Sequence, residues 1–391
     1  MSATITLRGI TWNHSRGYSP MAATAQRFSE LHPAISIEWE KHSLRTFEDS
    51  PVEKLAAAYD LLVLDHPCVR KAARSGALLP LDEHLPPEFL ADQSAHSVGL
   101  SHASYLTGGH LWALAIDAAA PVAYWRGDLL GRLGQAPPGT WDETLRLARL
   151  GHVEVPAAPI NCLMNFYSLC LAAGGEPFAA GEPAHVVAPP VGLHVLAQLR
   201  ELLACCDAGC WERNPIASLD LVASAGNTLL AYCPLSYGYS NYAHAGFADH
   251  RLDFGETPLV GGRPLRTTLG GAGLSVSAQR GHRREVLAYA EFVASGVVQR
   301  TLYTESGGQP GHRSAWLDRD TNRLTGDYFA RTLPVLDRAF LRPHFPSYMH
   351  FQKRGAPIVH AALRGDLPDA EALARLDAVY RECRPPTAAT P

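Results

Sequence analysis

The sequence predicts an α/β protein of two lobes, and three observations support that fold class. The chain has 391 residues, which is more than one ordinary hydrophobic core can hold. Its first third alternates strand and helix patterns in the order that is typical of a doubly wound sheet. Apolar residues make up 47% of the chain and charged residues 18%, which indicates a folded globular protein rather than a disordered one.

The first third contains three predicted strands separated by two predicted helices. Branched residues predict a strand at 5–10, and apolar residues on one face predict a helix at 20–31. An alternating pattern predicts a second strand at 35–39, and a short helix follows at 51–59. The continuous apolar run 61–64 is typical of a strand that is buried in a parallel sheet.

The rest of the chain mixes both element types and shows no internal repeat. Strands are predicted at 112–116, 121–125 and 228–233, and helices at 128–133, 140–149, 165–173, 191–204, 218–224, 284–294 and 369–382. The helix at 140–149 has a marked start, because Thr140 as N-cap and Glu143 three residues later form a capping box.

Charge and cysteine usage exclude several classes of function. The net charge of −4 and the pI near 6.5 give no reason to expect nucleic acid or an anionic membrane as a partner. The eight cysteines are scattered rather than densely spaced, so we expect reduced thiols. Cys205, Cys206 and Cys210 lack the companion ligands of a zinc site, and we expect no metal and no cofactor.

The first residues show no secretion signal. Met1 to Thr4 lead directly into the first strand, without a basic region, an apolar region or a cleavage site. The chain as written is therefore expected in the cytoplasm, unless a signal peptide has been removed.

Two strand ends carry the most distinctive polar side chains. Ligands of open α/β sheets bind beyond the carboxyl ends of the strands, so the two following loops are candidates for one wall of a ligand cleft. The alternative is that the aromatic residues pack and the histidine is solvated. The candidates after the first strand and after the run 61–64 are Trp12, Asn13, His14, Arg16, Tyr18, Asp65 and His66.

The order of the segments resembles a known family. The stretches RFSELHPAISIEWEK, YDLLVLDHP, ARSGALLPLDEHL, HLWALAIDAAAPVAYWRGDLLGRLGQAPPGTWDETL, FYSLCLAAGGEPF, GGAGLSVSAQRGHRREVLAYAEFVAS and SGGQPGHRSAW resemble the extracellular solute-binding proteins of ABC importers. The group is family 1, the sugar-type group that includes the maltose-binding protein. The stretches occur in the family's order and cover nearly the whole chain.

This resemblance implies a periplasmic-binding-protein-like fold, in which two doubly wound α/β lobes are joined by a hinge with chain crossovers. The implied segments are 1–114 and 265–316 for lobe 1, and 115–264 and 317–391 for lobe 2. The implied function is capture of a small polar ligand in the cleft between the lobes, without catalysis. An ABC permease is the implied partner, a monomer is the expected state, and the implied location is periplasmic or extracellular.

The nature of the ligand stays open at this point. Sugar sites combine aromatic faces with directional polar groups, whereas Arg16 and the histidines would equally suit a carboxylate or phosphate. If Asp65 or Asp117 neutralises Arg16, a sugar or polyol is favoured; otherwise the ligand itself would supply the anion. The further candidate ligand-binding residues are Asp117, Tyr167, Tyr237, Tyr239, Gly271 and Gln309.

Two other functions remain possible from the sequence. An enzyme on the same scaffold could use His14, Asp65 or His66 as acid and base, because a fold does not fix a function. A sensor whose ligand-bound form docks to another protein is the third possibility. Turnover of a bound ligand would distinguish the enzyme from the receptor.

Overall fold

The computed structural model describes residues 4–42, 51–179, 184–343, 345 and 347–384, with backbone only at 70–71. The strands are β1 (Ile5–Trp12), β2 (Ile35–His42), β3 (Leu61–Asp65), β4 (Leu106–Thr107), β5 (His110–Leu111), β6 (Leu114–Ala115), β7 (Pro121–Trp125), β8 (Tyr232–Tyr237), β9 (Asp253–Gly255) and β10 (Ala272–Val276). Within the described ranges, none of the helices is both long enough and apolar enough to cross a membrane.

The helices follow in chain order. They are α1 (Ser15–Leu31), α2 (Val52–Ala58), α3 (His66–Arg74), α4 (Pro87–Ala95), α5 (Gly127–Arg132), α6 (Trp141–Arg149), α7 (Pro159–Ala172), α8 (Pro189–Leu203), α9 (Pro215–Ala223), α10 (Arg283–Ala294), α11 (Gly296–Val298), α12 (Arg313–Leu317), α13 (Arg319–Leu324), α14 (Tyr328–Asp337), α15 (Tyr348–Arg364) and α16 (Asp369–Cys383). The predicted capping box at α6 is confirmed, with Thr140 and Glu143 in both reciprocal contacts.

The chain forms two compact units, and each unit draws on three separate segments. Unit 1 comprises Met1–Ala119, Tyr239–His244 and Leu269–Asp337, and unit 2 comprises Ala120–Gly238, Ala245–Thr268 and Arg338–Pro391. The lobe boundaries inferred from the sequence remain a prediction, and they differ most from these units at 317–337. That segment belongs to unit 1, where the ring of Phe329 lies 4.9 Å from that of Trp316.

Unit 1 is built on a five-stranded sheet in the order β2-β1-β3-β10-β6. β1 runs parallel to both β2 and β3, which confirms the order predicted for the first third of the chain. β10, which comes from a distant part of the sequence, lies between β3 and β6 and is antiparallel to both. The predicted burial of the run 61–64 is confirmed, since its four side chains are at most 2% exposed.

Unit 2 combines a small sheet with a large helical core. β7 lies between β8 and β9 and is antiparallel to both. α7 contributes eleven buried residues to the core, and the apolar residues of α15 and α16 complete it. Aromatic rings meet there edge to face, with Phe178 5.3 Å from Phe351 and 5.2 Å from Tyr380. This packing makes unit 2 a folded body with its own core.

The structure describes all eight cysteines, and none of them is in a disulfide. Burial raises the pKa of the Cys170 and Cys233 thiols, and neutral buried thiols pack as small apolar groups. Cys170 and Cys233 are therefore packing residues.

Candidate functional site

The candidate site in unit 1 begins where β1 ends and α1 starts. His14 has an extended backbone and is the N-cap of α1, and its Nδ1 accepts a hydrogen bond of 3.0 Å from the backbone N–H of Arg16. The helix was predicted to begin at residue 20, and this prediction is wrong. Because the imidazole satisfies a backbone donor that a helix start leaves open, α1 begins at Ser15, and Arg16 lies in its first turn.

Three other candidate residues, Trp12, Asn13 and Tyr18, lie next to the start of α1 and have contacts within the protein. Trp12 is 6% exposed and packs directly over Gly17, where a Cβ would overlap the indole ring. Asn13 is exposed, and its backbone N–H donates to the carbonyl of His42. Tyr18 is half-buried with the ammonium of Lys41 4.6 Å from its ring centre. Ligand contacts of these three residues remain a prediction.

A buried ion pair joins Arg16 to Asp117. Arg16 Nε donates to Asp117 Oδ2 at 2.8 Å and Arg16 Nη2 to Oδ1 at 2.5 Å, with side chains that are 4% and 1% exposed. Burial opposes the charge of Arg16, but the adjacent carboxylate outweighs it and raises the pKa of the guanidinium. Such a two-point contact fixes position as well as charge. Asp117 is therefore the internal partner of Arg16, one of the two alternatives that the sequence left open.

Two rings are arranged around this ion pair. The guanidinium carbon of Arg16 lies 4.5 Å from the ring centre of Tyr239, a cation–π contact. The imidazole of His14 meets the same tyrosine edge to face, with ring centres 4.8 Å apart. Burial first, and then the charge of Arg16, lower the pKa of His14 to about 4. We call His14, Arg16, Asp117 and Tyr239 the Arg16 site, and its groups sum to no net charge at neutral pH.

Two further predicted residues hold the backbone of this site in place. Gly271 has a φ of +111°, and a Cβ at this position would overlap the carbonyl oxygen of Asp117 and lie 2.9 Å from Ala118 Cα. Gln309 is fully buried; its Nε2 donates to the carbonyl of Ala118 at 2.7 Å and its Oε1 accepts from the N–H of Ser240 at 3.0 Å. Gln309 thereby ties the segment that carries Tyr239 to the segment that carries Asp117.

Asp65 and His66 lie at the end of the neighbouring strand β3. Asp65 pairs with Ala272 in the sheet, and the backbone N–H of Asp117 donates to the carbonyl of Ala272. Burial raises the pKa of Asp117, and the negative charge of the nearby Asp65 adds to that rise. His66 is 2% exposed, and its Nδ1 is 3.3 Å from Asp65 Oδ1. β1 and β3 are parallel neighbours, so the two strand ends lie at one edge of the sheet in unit 1, and their role as a wall of a ligand cleft remains a prediction.

The two candidates of unit 2, Tyr167 and Tyr237, have contacts within their own unit. Tyr167 is fully buried in the core of unit 2, with the ring of Phe178 5.4 Å away. Tyr237 is half-buried, and its hydroxyl lies 3.0 Å from Thr268 Oγ1. Contacts of either tyrosine with a ligand stay a prediction.

Sequence reasoning missed two tyrosines in unit 1. Tyr303 and Tyr328 are each 1% exposed. Burial raises the pKa of both hydroxyls, the charge of Asp117 raises it further, and the charge of Arg16 lowers it. Both residues lie far along the chain inside helical patterns, so no local signal points to them.

The low pKa of His14 predicts a pH dependence of stability. Its pKa is about 4 in the folded protein against an ordinary 6.5, so the unfolded chain binds the proton more tightly. The stabilising effect is complete above pH 6.5 and is lost as the pH falls towards 4. Between pH 7 and pH 5 we expect the wild type to lose about 1–2 kcal/mol more than His14→Asn, measured by urea unfolding.

Asparagine is the matched substitution because it also caps a helix but does not titrate. His84→Asn, at an exposed histidine, is the control and should follow the wild type. Equal pH slopes for His14→Asn and the wild type would contradict the prediction.

Comparison with known proteins shows which fold this is. No protein-family model matches the chain. A maltose-bound MalE3 of T. maritima has 16% identity and a TM-score of 0.81, and the match covers 97% of this chain and 100% of that one. An ABC transporter solute-binding protein of Agrobacterium radiobacter K84, solved with ribitol, has 16% identity, coverages of 97% and 98%, and a TM-score of 0.80.

A third structure agrees with these two. The ABC transporter solute-binding protein of Thermotoga lettingae, bound to α-D-tagatose, has 19% identity, coverages of 97% and 100%, and a TM-score of 0.79. The chain therefore has the fold of the maltose-binding-protein-like solute-binding proteins over 97% of its length. The fold class that the sequence predicts is confirmed.

Proposed function

We propose that this protein is a solute receptor of the ABC-importer type and that it binds a small uncharged ligand, a sugar or polyol. The observation that carries the proposal is the Arg16 site, in which Asp117 neutralises the buried guanidinium beside the ring of Tyr239. Full-length likeness to proteins solved with maltose, ribitol and tagatose supports the same ligand class.

The charges of the site favour a neutral ligand over an anion. Arg16 already directs Nε and Nη2 to Asp117. The negative charge of this aspartate would repel a carboxylate or phosphate that competes for the guanidinium. His14 is neutral at pH 7, because its pKa is about 4, so it adds no positive charge. Transfer of an anion to a buried site without a free cationic partner is unfavourable, whereas sugar hydroxyls need only directional hydrogen bonds.

The aromatic group of the site suits the apolar face of a sugar ring. Contacts with Arg16 and His14 hold the plane of Tyr239 in one orientation, so little conformational entropy is lost when a ligand packs on it. We assign the binding role to Tyr239 and a supporting role to the buried Gln309, which places the tyrosine segment.

The proposed receptor acts without turnover and delivers its solute to an ABC permease at a membrane. Ligand binding would draw unit 2 towards unit 1 by bending at the chain crossovers, as in hinge closure. Under this proposal the ligand-bound protein is more compact than the free one.

The test combines identification of the bound solute with a binding panel. Native mass spectrometry of the protein as purified should show a neutral solute. Calorimetry with maltose, ribitol and α-D-tagatose, against gluconate and glucose 6-phosphate, should show binding among the neutral compounds alone. Small-angle scattering of the same samples should give a smaller radius of gyration at saturation. Binding confined to the acids, or conversion of a bound ligand, would overturn the proposal.

Two variants test whether Tyr239 forms part of the site. Tyr239→Ala should weaken binding of the neutral ligand about tenfold or more, because it removes the stacking surface. Tyr239→Phe keeps the ring and should bind within about threefold of the wild type, since threefold corresponds to less than 1 kcal/mol. Equal affinities for all three proteins would remove Tyr239 from the site.

A further inference from the structure

Unit 1 contains a second cluster of chemically competent side chains, and none of them belongs to the Arg16 site. Asp92 and His96 lie one helical turn apart, with Asp92 in α4 and His96 as its C-cap. His312 comes from 216 residues further along the chain. Antiparallel backbone pairing of Ser97 with His312, and a hydrogen bond from the N–H of Arg313 to the carbonyl of His96, bring the two histidines together.

The ligand atoms of the three side chains converge. Asp92 Oδ1 lies 2.8 Å from His96 Nδ1, and Asp92 Oδ2 lies 3.1 Å from His312 Nε2. All three ligand atoms are within 4.8 Å of one another. Ligand atoms around a tetrahedral zinc ion are about 3.4 Å apart, because each lies about 2.1 Å from the metal. Small side-chain rotations therefore suffice to place all three on one ion.

The two imidazoles are already held in compatible orientations. Their rings stack with centres 4.9 Å apart and planes inclined by 18°. A Cβ at Gly296 would lie 2.8 Å from His312 Cε1, so this glycine provides the space for the ring. Protonated imidazoles stacked in this way would repel each other, whereas one dication shared with the carboxylate would be favourable.

A neighbouring hydroxyl can select the tautomer that metal binding needs. His312 Nδ1 lies 2.8 Å from Ser314 Oγ, and donation to this hydroxyl would leave Nε2 as the metal ligand. The backbone N–H of Ser314 is also 3.3 Å from Nδ1 and offers a donor to the other tautomer. Metal binding would then select the tautomer of His312 that carries its proton on Nδ1.

We propose that Asp92, His96 and His312 form a binding site for one divalent transition-metal ion, with zinc as the expected occupant. Two imidazoles and one carboxylate are ligands that suit zinc rather than calcium or magnesium. His312 is buried at 4% exposure, while the side chains of Asp92 and His96 are 44% and 48% exposed. The ion can therefore enter from solvent, and water would complete its coordination.

Calorimetry with zinc chloride at pH 7.5 tests the site, with magnesium chloride as the comparison ion. We expect one zinc per chain and no binding of magnesium. His96→Ala and Asp92→Asn should each weaken zinc binding by at least about 10- to 100-fold, because loss of a residue that only supports a ligand already costs that much, and both change exposed side chains that the fold tolerates. Zinc should also raise the Tm of the wild type but not of these variants, because a ligand that binds only the folded state stabilises it.

His110→Ala is the matched control. His110 lies in the same unit with Nδ1 3.0 Å from Asp82 and 3.5 Å from Glu83, but the cluster has a single imidazole. This variant should bind zinc as the wild type does. Absence of zinc binding to the wild type, or equal binding by the wild type and His96→Ala, would overturn the proposal. The result is independent of sugar binding, which the calorimetric panel measures separately.

Discussion

Replacing Arg16 by methionine should lower the free energy of unfolding by about 3–5 kcal/mol, because it leaves a buried carboxylate without its partner. Asp117→Leu should cost a similar amount, since the buried guanidinium then lacks the carboxylate that balances its charge. Both side chains are almost inaccessible to water, at 4% and 1% exposure, so solvent cannot replace the lost contact. Urea unfolding at pH 7 measures both effects.

The double variant Arg16→Met/Asp117→Leu separates the ion pair from its surroundings. Removal of both charges together is often nearly neutral, so the double variant should be more stable than either single variant. Arg8→Met is the control, because the ion pair of Arg8 with Glu40 is 44% and 47% exposed and exposed pairs contribute little. If Arg16→Met is no more harmful than Arg8→Met, the guanidinium is solvated and the Arg16 site does not exist as described.

The single variant Arg16→Met also tests the charge of the ligand. Burial raises the pKa of Asp117 and Arg16 opposes that rise, so without Arg16 the carboxyl tends to take up a proton. The contact that orients Tyr239 is lost at the same time. Arg16→Met should therefore weaken binding of the neutral ligands. A loss of affinity for acids alone would identify Arg16 as an anion-binding residue and reverse the proposed ligand class.

The sequence predicts the fold well because its signals are local. Periodicity located α2 within one residue at each end and β7 at its observed bounds, and the capping box at Thr140 placed the start of α6. It failed at α1, since Pro20 is typical of a first helical turn, whereas the imidazole of His14 starts the helix at Ser15.

The site was predicted only in part, because its pairings depend on sheet register. Position at two strand ends predicted that the segments with Arg16 and Asp65 follow neighbouring strands, and β1 and β3 are parallel neighbours in the sheet. From the sequence, Asp117 and Asp65 were equal candidates as the partner of Arg16. Which of them pairs with Arg16 depends on how β10 packs against the segment with Asp65 and the segment with Asp117. The cluster of Asp92, His96 and His312 could not be predicted from the sequence for the same reason. It depends on the pairing of Ser97 with His312, which are 215 residues apart.

Gly271→Ala should lower the free energy of unfolding by at least about 3 kcal/mol, since it combines backbone strain with overlap of buried atoms. Gly271 has a φ of +111°, which a residue with a Cβ rarely adopts, and the new methyl group would meet the backbone of Asp117 and Ala118. Neither backbone segment can yield easily, because the N–H of Ala118 is bonded to the carbonyl of Gln309.

Gly271→Ala should also affect ligand binding, because residue 271 lies against the backbone of Asp117. Displacement of its backbone would break the two-point contact with Arg16, so Gly271→Ala should weaken neutral-ligand binding about tenfold or more, the equivalent of 1.4 kcal/mol. Gly281→Ala is the control, because a Cβ there meets open space, and such a change is neutral or slightly stabilising. Calorimetry and urea unfolding measure both variants. Wild-type affinity and stability in Gly271→Ala would show that the close approach of residues 271 and 117 does not shape the site.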